Sequence, residues 1–523
     1  LKSLVRSEQA RLWWLLAGVA AMFAFSMGTH PFIPSMEPRF GEVIREMLAR
    51  GEYLIPIKNG VPYVEYPPLY YWLSLAGHFA GLPETAAIRL PAALAFLGWI
   101  AWLARLQRTV RPDWRIYWLP LIGAALPGVL YHFFVAQSDS VLILGTLIGL
   151  TGYWRLRQGL ERGERFGFPW ELWLGVTLAT MAKGPVGLMV TLPVIALDIL
   201  TEPVAASEGS WCRAIWRRAG QTAWVRGLAL VLLLNTPWYI AVGLREGWDL
   251  VRAMVVYQNV TRFLVGFDHI QPWWYYGKTI WYDMLPAAFA LPFALVMGWR
   301  RRRDRLWRLP LLWLLWTMLF FSLSASKQGK YILTAAPAMA FLALLALETL
   351  CSTRWWTRLR VAAQVWAVLL LAGFAVTAVF ILPRYSSEIG GIGGLRQIRA
   401  IVNEHPGRVV SYAWPRAGEL YVLGAPMPHV RSARQLYRWL HEGKLQPGDY
   451  LLVLSRHLPK QGQPPGPTTL SPAPAYPYFQ RIISVDFNGQ LDLYRVLPAA
   501  KGMPMPKTPE PPPHHWWERF DTD

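Results

Sequence analysis

Residues 67–82 read PPLYYWLSLAGHFAGL, and whether this stretch crosses a bilayer decides the topology of everything after it. It is apolar but carries His78, and it is short for a hydrocarbon core of about 30 Å, which takes about 20 helical residues. Outward from it, apolar segments long enough to span are expected at Leu12–Gly28 and at about 87–104, 116–134, 140–154, 169–182, 184–200, 227–243, 279–299, 309–325, 331–349 and 361–383. If 67–82 lies in the interface, five basic clusters share the side of Lys2, Arg6 and Arg11. These are Arg105/Arg108/Arg111/Arg115, Arg155/Arg157/Arg162/Arg165, Arg213/Arg217/Arg218/Arg226, Arg300–Arg303/Arg305/Arg308 and Arg354/Arg358/Arg360. If it spans, all five fall on the opposite side. Positive loops face the cytoplasm, and only the first arrangement satisfies that tendency. The stretch is therefore read as a juxtamembrane helix. Eleven spans follow, in a range of about 11–13, with the N-terminus cytoplasmic and the C-terminus outside. Cys212 and Cys351 then lie at cytoplasmic ends, where thiols stay reduced. No cleavable signal peptide is recognised, and the first span is expected to act as the signal-anchor.

Composition agrees. Of 523 residues, 54% are hydrophobic and 16% charged, with 29 Trp and a mean hydropathy of +0.24. A soluble surface could not carry so much apolar area, which excludes a soluble enzyme, a disordered chain and a fibrous repeat. The net charge of +20 raises the question of nucleic acid. The basic residues fall in bunches between apolar runs rather than along one polar surface, which is the pattern that orients a membrane protein. The chain thus reads as an α-helical polytopic membrane protein.

The outer face collects a long loop at 29–86, a short one near His132–Ser140, a second long loop at 244–278 and a turn at Ser324–Lys330. After Pro383 the composition changes. RVVSYAW, DYLLVLS and RIISVDFNGQLDLYRV are strand-like and bounded by turn residues. The expected organisation is a membrane domain over 1–383, a soluble α/β domain over 384–499 and a Pro-rich disordered tail over 500–523. No internal repeat is evident, which argues against a transporter built from inverted halves.

Carboxylates and cations converge on that outer face. Glu37 opens a predicted helix and Glu65 precedes Pro67-Pro68; either is also an ordinary helix-start carboxylate. Asp139, in VAQSDSVLIL, stands at the mouth of a span with no cation near in sequence, where an ionisable group is costly and usually functional, its alternative being a helix cap. Lys183, Lys327 and Lys330 sit in short outer turns where they suit a lipid phosphate, the alternative being snorkelling. His269 and Glu65 are a candidate pair for a divalent metal, Zn²⁺ or Mn²⁺, although a lone loop histidine is more often solvated. Trp273-Trp274-Tyr275-Tyr276 reads as an interfacial belt. Chemistry that asks for both charges is sugar transfer from a lipid phosphate. A carboxylate activates the acceptor or steadies an oxocarbenium-like centre, and cations stabilise the departing phosphate.

The order Glu-Pro-Arg-Phe (37–40), Arg-Glu-Met-Leu (45–48), Asn-Gly (59–60), Tyr-x-Glu-Tyr-Pro-Pro-Leu-x-Tyr-Trp (63–72) and Arg-Leu-Pro (89–91) resembles the first outer loop of bacterial GT-C membrane glycosyltransferases. It is similar in this to the lipid A aminoarabinose transferases and the related protein O-mannosyltransferases. Ser-Asp-Ser (138–140), Ala-Lys-Gly-Pro (182–185), Asn259-x-x-Arg262-Phe263 and Lys330-Tyr331-Ile332-Leu333 echo it. The resemblance covers roughly residues 10–350 and implies the GT-C fold and a polyprenyl (undecaprenyl) phosphate sugar donor. It also implies an inverting transfer of a hexose or pentose, needing no nucleotide sugar, to a lipid A, glycan or other cell-envelope acceptor at the periplasmic face of a bacterial inner membrane. It carries over Arg39, Glu65, Lys183 and Lys330 as binding residues and Glu37 as a catalytic carboxylate, with two alternatives: Asp139 takes that role, or an acceptor that is already an ionised phosphate needs no base. Tyr66, Lys327 and Tyr331 stand beside them as further candidate binding residues. Two departures stand out. The family's Asp-Glu pair is Met36-Glu37 here, and the lysine that follows the loop glutamate in the aminoarabinose transferases is Tyr66. The rival expectations are a lipid-linked sugar flippase and a non-catalytic envelope-assembly partner.

Overall fold

The computed structural model describes residues 2–30, 32–33, 36–63, 65–204, 210–266, 269–350, 353–385, 392–424, 426–458, 477–487 and 489–505. They form two units, one of Leu1–Thr29 with Glu65–Val379, the other of His30–Val64 with Phe380–Asp523. Along the chain run α1 (Lys2–Ser26), α2 (Glu37–Arg50), strands β1 (Ile57–Lys58) and β2 (Val61–Pro62), α3 (Leu69–Phe79), α4 (Glu84–Val110), α5 (Trp118–Ala124), α6 (Pro127–Phe134), α7 (Asp139–Glu161), α8 (Trp170–Lys183) and α9 (Val186–Thr201). There follow α10 (Trp211–Gln221), α11 (Trp224–Glu246), α12 (Trp248–Arg252), α13 (Arg262–Leu264), α14 (Tyr275–Asp283), α15 (Leu291–Arg300), α16 (Arg305–Leu323), α17 (Ala336–Leu350) and α18 (Thr353–Val376). The remainder is α19 (Leu382–Tyr385), α20 (Ile392–Glu404), β3 (Val409–Tyr412), α21 (Ala417–Leu423), β4 (His429–Val430), α22 (Ala433–His441), β5 (Tyr450–Leu454), β6 (Phe479–Asp486) and β7 (Gln490–Val496).

The first unit is that of a multi-pass membrane protein. Among the described residues, five helical stretches are each long and apolar enough to cross alone: Glu84–Val110, Trp224–Glu246, Arg305–Leu323, Gly329–Leu350 and Thr357–Tyr385. The expected spans at 12–28 and 140–154 lie within the unbroken helices α1 and α7, of 25 and 23 residues, while several others are shorter or broken. The segment 116–134 is two helices, α5 and α6, because Pro127 disfavours helix in the residue before it. The segment 279–299 is interrupted by a 3₁₀ turn at Ala287–Ala290, just after Pro286. Helices α8 and α9 have 14 and 16 residues, about 21 and 24 Å at 1.5 Å per residue. The decisive stretch at 67–82 folds as α3, 11 residues long, about 16 Å and half the thickness of a hydrocarbon core.

Helices α7 and α8 pack backbone to backbone through small residues. Gly145 and Gly149 on α7 form a G-x-x-x-G seam, the arrangement that lets spanning helices approach closely. A Cβ on Gly175 of α8 would overlap the Gly149 backbone nitrogen. Gly175→Val should therefore lower the protein's stability by about 1–3 kcal/mol or more through overpacking. A thermal unfolding midpoint in detergent equal to the parent's would refute this reading of the seam.

At the far end of α7 from Asp139 lies a buried charged layer. Tyr153 Oη donates to Asp198 Oδ2 at 2.8 Å and Arg308 Nε to Asp198 Oδ1 at 2.8 Å. Glu202 accepts from Arg157 Nη2 at 2.6 Å and also from Arg305. These pairs tie α7, α9 and α16 together and explain why several arginines of the basic clusters are buried rather than solvated.

The second unit is built on a five-stranded sheet in the order β4-β3-β5-β7-β6, parallel where β3 meets β4 and β5 and antiparallel across β5-β7 and β6-β7. The strand readings at RVVSYAW, DYLLVLS and RIISVDFNGQLDLYRV hold. All five residues of β5 are buried. Leu451 and Val453 face one core with Leu436 and Leu440, while Leu452 and Leu454 face another with Leu395 and Leu420, as the two-residue period of a strand requires. Ala500 and Met503 pack into the first core, so the fold continues past residue 499. The remaining tail, 506–523, lies outside the described residues.

The boundary expected at 383 gains a second crossing. Residues 30–64 of the first loop fold with the C-terminal unit. Asn59 exchanges two hydrogen bonds with Met427, Nδ2 donating to the carbonyl at 3.2 Å and Oδ1 accepting from the amide at 2.7 Å. Arg45 Nη2 donates to the Leu420 carbonyl at 3.2 Å, and the Phe32 and Tyr421 rings lie 4.8 Å apart. Asn59 holds φ +52°, a left-handed conformation that asparagine tolerates better than most residues.

Candidate functional site in the membrane unit

Three helix ends meet in the first unit. Asp139 occupies the first turn of α7 and Lys183 the last turn of α8, each on the end where the helix dipole favours its charge. Gly184 follows with φ +64°, a backbone that suits glycine, and turns the chain into α9 within a few residues. The third contributor is the 3₁₀ turn Gly329–Ala335, which carries Lys330 and Tyr331. Because α7 and α8 are antiparallel neighbours with a glycine seam, the start of one is held beside the end of the other.

The carboxylate of Asp139 pairs with Lys183 through Oδ1, and its Oδ2 lies 3.2 Å from Lys330 Nζ. Asp139 is 1% exposed and Lys330 5%, with Lys183 half-buried beside them, so the carboxylate and Lys330 are away from bulk water, where electrostatic interactions are strong. Gln137 braces the group. Its Oε1 accepts from Lys330 Nζ at 3.4 Å, and its Nε2 donates to the His132 carbonyl at 2.6 Å. Lys183 also lies 4.6 Å from the Tyr331 ring centroid and 5.9 Å from that of Tyr66, within range of cation–π attraction. Glu65, next to Tyr66, accepts from Arg262 Nη1 at 3.3 Å, and Arg262 is within electrostatic reach of Lys183. Across Asp139, Lys183, Lys330, Glu65 and Arg262 the cations outnumber the carboxylates by one. The arrangement suits an anion with several oxygens, which could draw charge-assisted hydrogen bonds from more than one cation.

The fold thus gathers Asp139, Lys183, Lys330, Tyr331, Glu65 and Tyr66 from four stretches of sequence. It adds Arg262 and Gln137, which the sequence reading left out of its candidate residues. Arg262 stands in the Asn259-x-x-Arg262-Phe263 echo, so its signal was present; Gln137 had none beyond adjacency to Asp139. Lys327 is not part of the group, since its Nζ donates to the Gln271 carbonyl at 2.9 Å and to the Ser324 carbonyl. His269 is exposed, and its carbonyl accepts from the Lys327 amide at 3.0 Å. Among the described residues no three His, Cys, Asp or Glu side chains gather as metal ligands, and Glu65 already faces a guanidinium.

Glu37 and Arg39 belong to the second unit. Glu37 begins α2, is fully buried, and its Oε2 accepts from the Ile33 amide at 2.7 Å. Met36 holds the N-cap position without a side-chain hydrogen bond, where an aspartate could cap the helix. One turn on, burial pushes the Glu42 carboxyl up to about 7 against the pull of Arg45.

The protein is therefore a polytopic membrane protein with the GT-C fold and a buried carboxylate–lysine cluster. In sequence it resembles bacterial undecaprenyl phosphate–aminoarabinose arabinosyl transferases. It is 30% identical over 350 residues to one from Pseudomonas fluorescens (strain Pf0-1), covering 63% of this chain and 57% of the relative. It is 32% identical over 325 residues to one from Pectobacterium carotovorum subsp. carotovorum, covering 59% and 53%. The chain thus spans little more than half the length of these relatives. The crystal structure of ArnT from Cupriavidus metallidurans bound to undecaprenyl phosphate superposes with a TM-score of 0.69 at 17% identity, over 92% of this chain and 97% of that one. No family model matches the chain.

Proposed function

We propose that this chain transfers a sugar from a polyprenyl phosphate donor to a lipid A, glycan or other envelope acceptor at the periplasmic face of a bacterial inner membrane. The observation that carries the reading is Asp139 clasped between Lys183 and Lys330, with Arg262 and Glu65 alongside. In the reaction an acceptor oxygen attacks the anomeric carbon from the face opposite the phosphate. The carbon–oxygen bond to phosphate breaks, its electron pair leaves with the polyprenyl phosphate, and the anomeric centre inverts. Lys183, Lys330 and Arg262 stabilise the charge that develops on the departing phosphate. Asp139 holds both lysines in place, and Tyr66 and Tyr331 line the approach to Lys183. Such a paired carboxylate is a poor base. An acceptor that is itself a phosphate is already ionised at neutral pH and needs none, which fits Met36 in the place of the family's aspartate. Glu37, engaged with the Ile33 amide, acts in positioning α2. The basic clusters at the far end of α7 support a cytoplasmic N-terminus.

The test is to incubate purified protein with a panel of polyprenyl phosphate sugars and envelope acceptors and follow released polyprenyl phosphate by mass spectrometry. Release from one donor that falls at least a hundredfold in Asp139→Asn, with Glu37→Gln within about threefold of the parent, is the expected result. Donor binding without release from any member of the panel would overturn the transferase reading in favour of a lipid-sugar transporter.

A further inference from the structure

A groove of about 520 Å³ runs between α1, α5 and α18, within the range of volumes that bind small molecules. Its walls are apolar, built by Trp14, Gly18, Met22, Leu121, Val368 and Leu371 among others. Arg11 and Tyr117 line it too, and two further guanidiniums, Arg115 and Arg360, lie beside them. Arg11 Nη1 donates to Tyr117 Oη at 2.6 Å, Arg115 Nη1 reaches the same oxygen at 3.4 Å, and Arg360 lies 4.3 Å over the Trp118 ring, within electrostatic reach of Arg115. Among the described residues these three guanidiniums have one carboxylate to pair with, Glu8, at 3.7 Å from Arg115 Nε. Nearby Arg111 is already satisfied by Asp113 and Glu348.

This mouth is remote from the Asp139 cluster. The Gln107 side chain ties the C-terminal end of α4 to the segment carrying Arg115 and Tyr117. Arg105 of the same α4 end pairs with Glu171, at the start of α8, whereas Lys183 ends that helix. The groove therefore opens toward the opposite leaflet.

We infer that the groove between α1, α5 and α18 holds one anionic diacyl phospholipid, its phosphate against Arg11 and Arg115 and an acyl chain along the apolar wall. An occupant that enters between spanning helices comes from the bilayer. Cations clustered there select an anionic headgroup, as basic pockets between helices do, and Tyr117 can supply a hydroxyl donor to the phosphate. The inference stands apart from the sugar-transfer reading, because it uses neither Lys183 nor Asp139.

The test is native mass spectrometry of the full chain, equilibrated separately and in competition with phosphatidylglycerol, phosphatidylcholine and undecaprenyl phosphate. Phosphatidylglycerol should be retained at least tenfold over phosphatidylcholine, and Arg11→Gln with Arg115→Gln should abolish that preference. A Cβ at Gly18 meets nothing within 4 Å, so Gly18→Phe projects a ring into the groove without a backbone clash. It should expel the lipid while the circular dichroism, and the thermal midpoint measured without added lipid, stay at parent values. Equal retention of phosphatidylglycerol and phosphatidylcholine, displacement by undecaprenyl phosphate, or undiminished retention in folded Gly18→Phe would each overturn the assignment.

Discussion

Lys183→Met should lower the rate of polyprenyl phosphate release by about 10²–10³-fold, the loss typical when one preorganised donor to a developing anion is removed. The side chain of methionine keeps most of the volume and the apolar stem beside Tyr66 and Tyr331, while the charge and its attraction to both rings are lost. Lys330→Met should fall in the same range, because Lys330 shares Asp139 with Lys183. The double variant should lose less than the product of the two single losses, since residues in one network are not additive. Single-turnover kinetics with saturating donor separate this from weakened binding. A rate within threefold of the parent for Lys183→Met, with donor binding unchanged, would remove the cluster from the chemistry.

Asp139→Ala should be the most destabilising change at the site. It leaves two buried ammonium groups facing each other with no carboxylate between them, and breaking a buried pair by removing one partner costs about 3–5 kcal/mol. Asp139→Asn keeps a hydrogen-bond acceptor of the same shape and should cost less. Adding Lys330→Met to Asp139→Ala removes one of the orphaned charges and should recover part of the loss. The measurement is the unfolding midpoint in detergent for all the single and double variants, read as a cycle. If Lys330→Met lowered stability equally in the presence and absence of Asp139, the two residues would not be coupled and the clasp would be no more than proximity.

Much of the fold is legible along the chain because its signals are local. Apolar runs, prolines and arginine bunches report spans and their direction without knowledge of neighbours, and the short length of 67–82 declares itself before any packing. The C-terminal strands are legible for the same reason, since DYLLVLS is a buried strand wherever it pairs. What was hidden depends on partners distant in sequence. No local property shows that Asn59 exchanges hydrogen bonds with Met427, so the first loop looked like part of the membrane domain. Lys327 and Lys330 are three residues apart and look equivalent; one is spent on the carbonyls of Ser324 and Gln271, the other faces Asp139. The glutamate at 37 reads as a catalytic carboxylate by motif, and that its Oε2 accepts from the Ile33 amide is visible only in the fold.

Residue order alone marks this as a membrane protein with many apolar segments, a family resemblance in its first loop, and a surplus of cations among its candidate residues. Hydropathy, charge and motif are properties of residues in order, and they need no contacts to be read. Packing in three dimensions decided that Asp139 is clasped by two lysines and that Arg262 answers Glu65. It also decided that Lys327 turns to the carbonyls of Gln271 and Ser324 instead of to Asp139. Those outcomes rest on helix ends brought together by a glycine seam, and where a buried charge finds its partner is settled by packing in three dimensions rather than by neighbours along the chain.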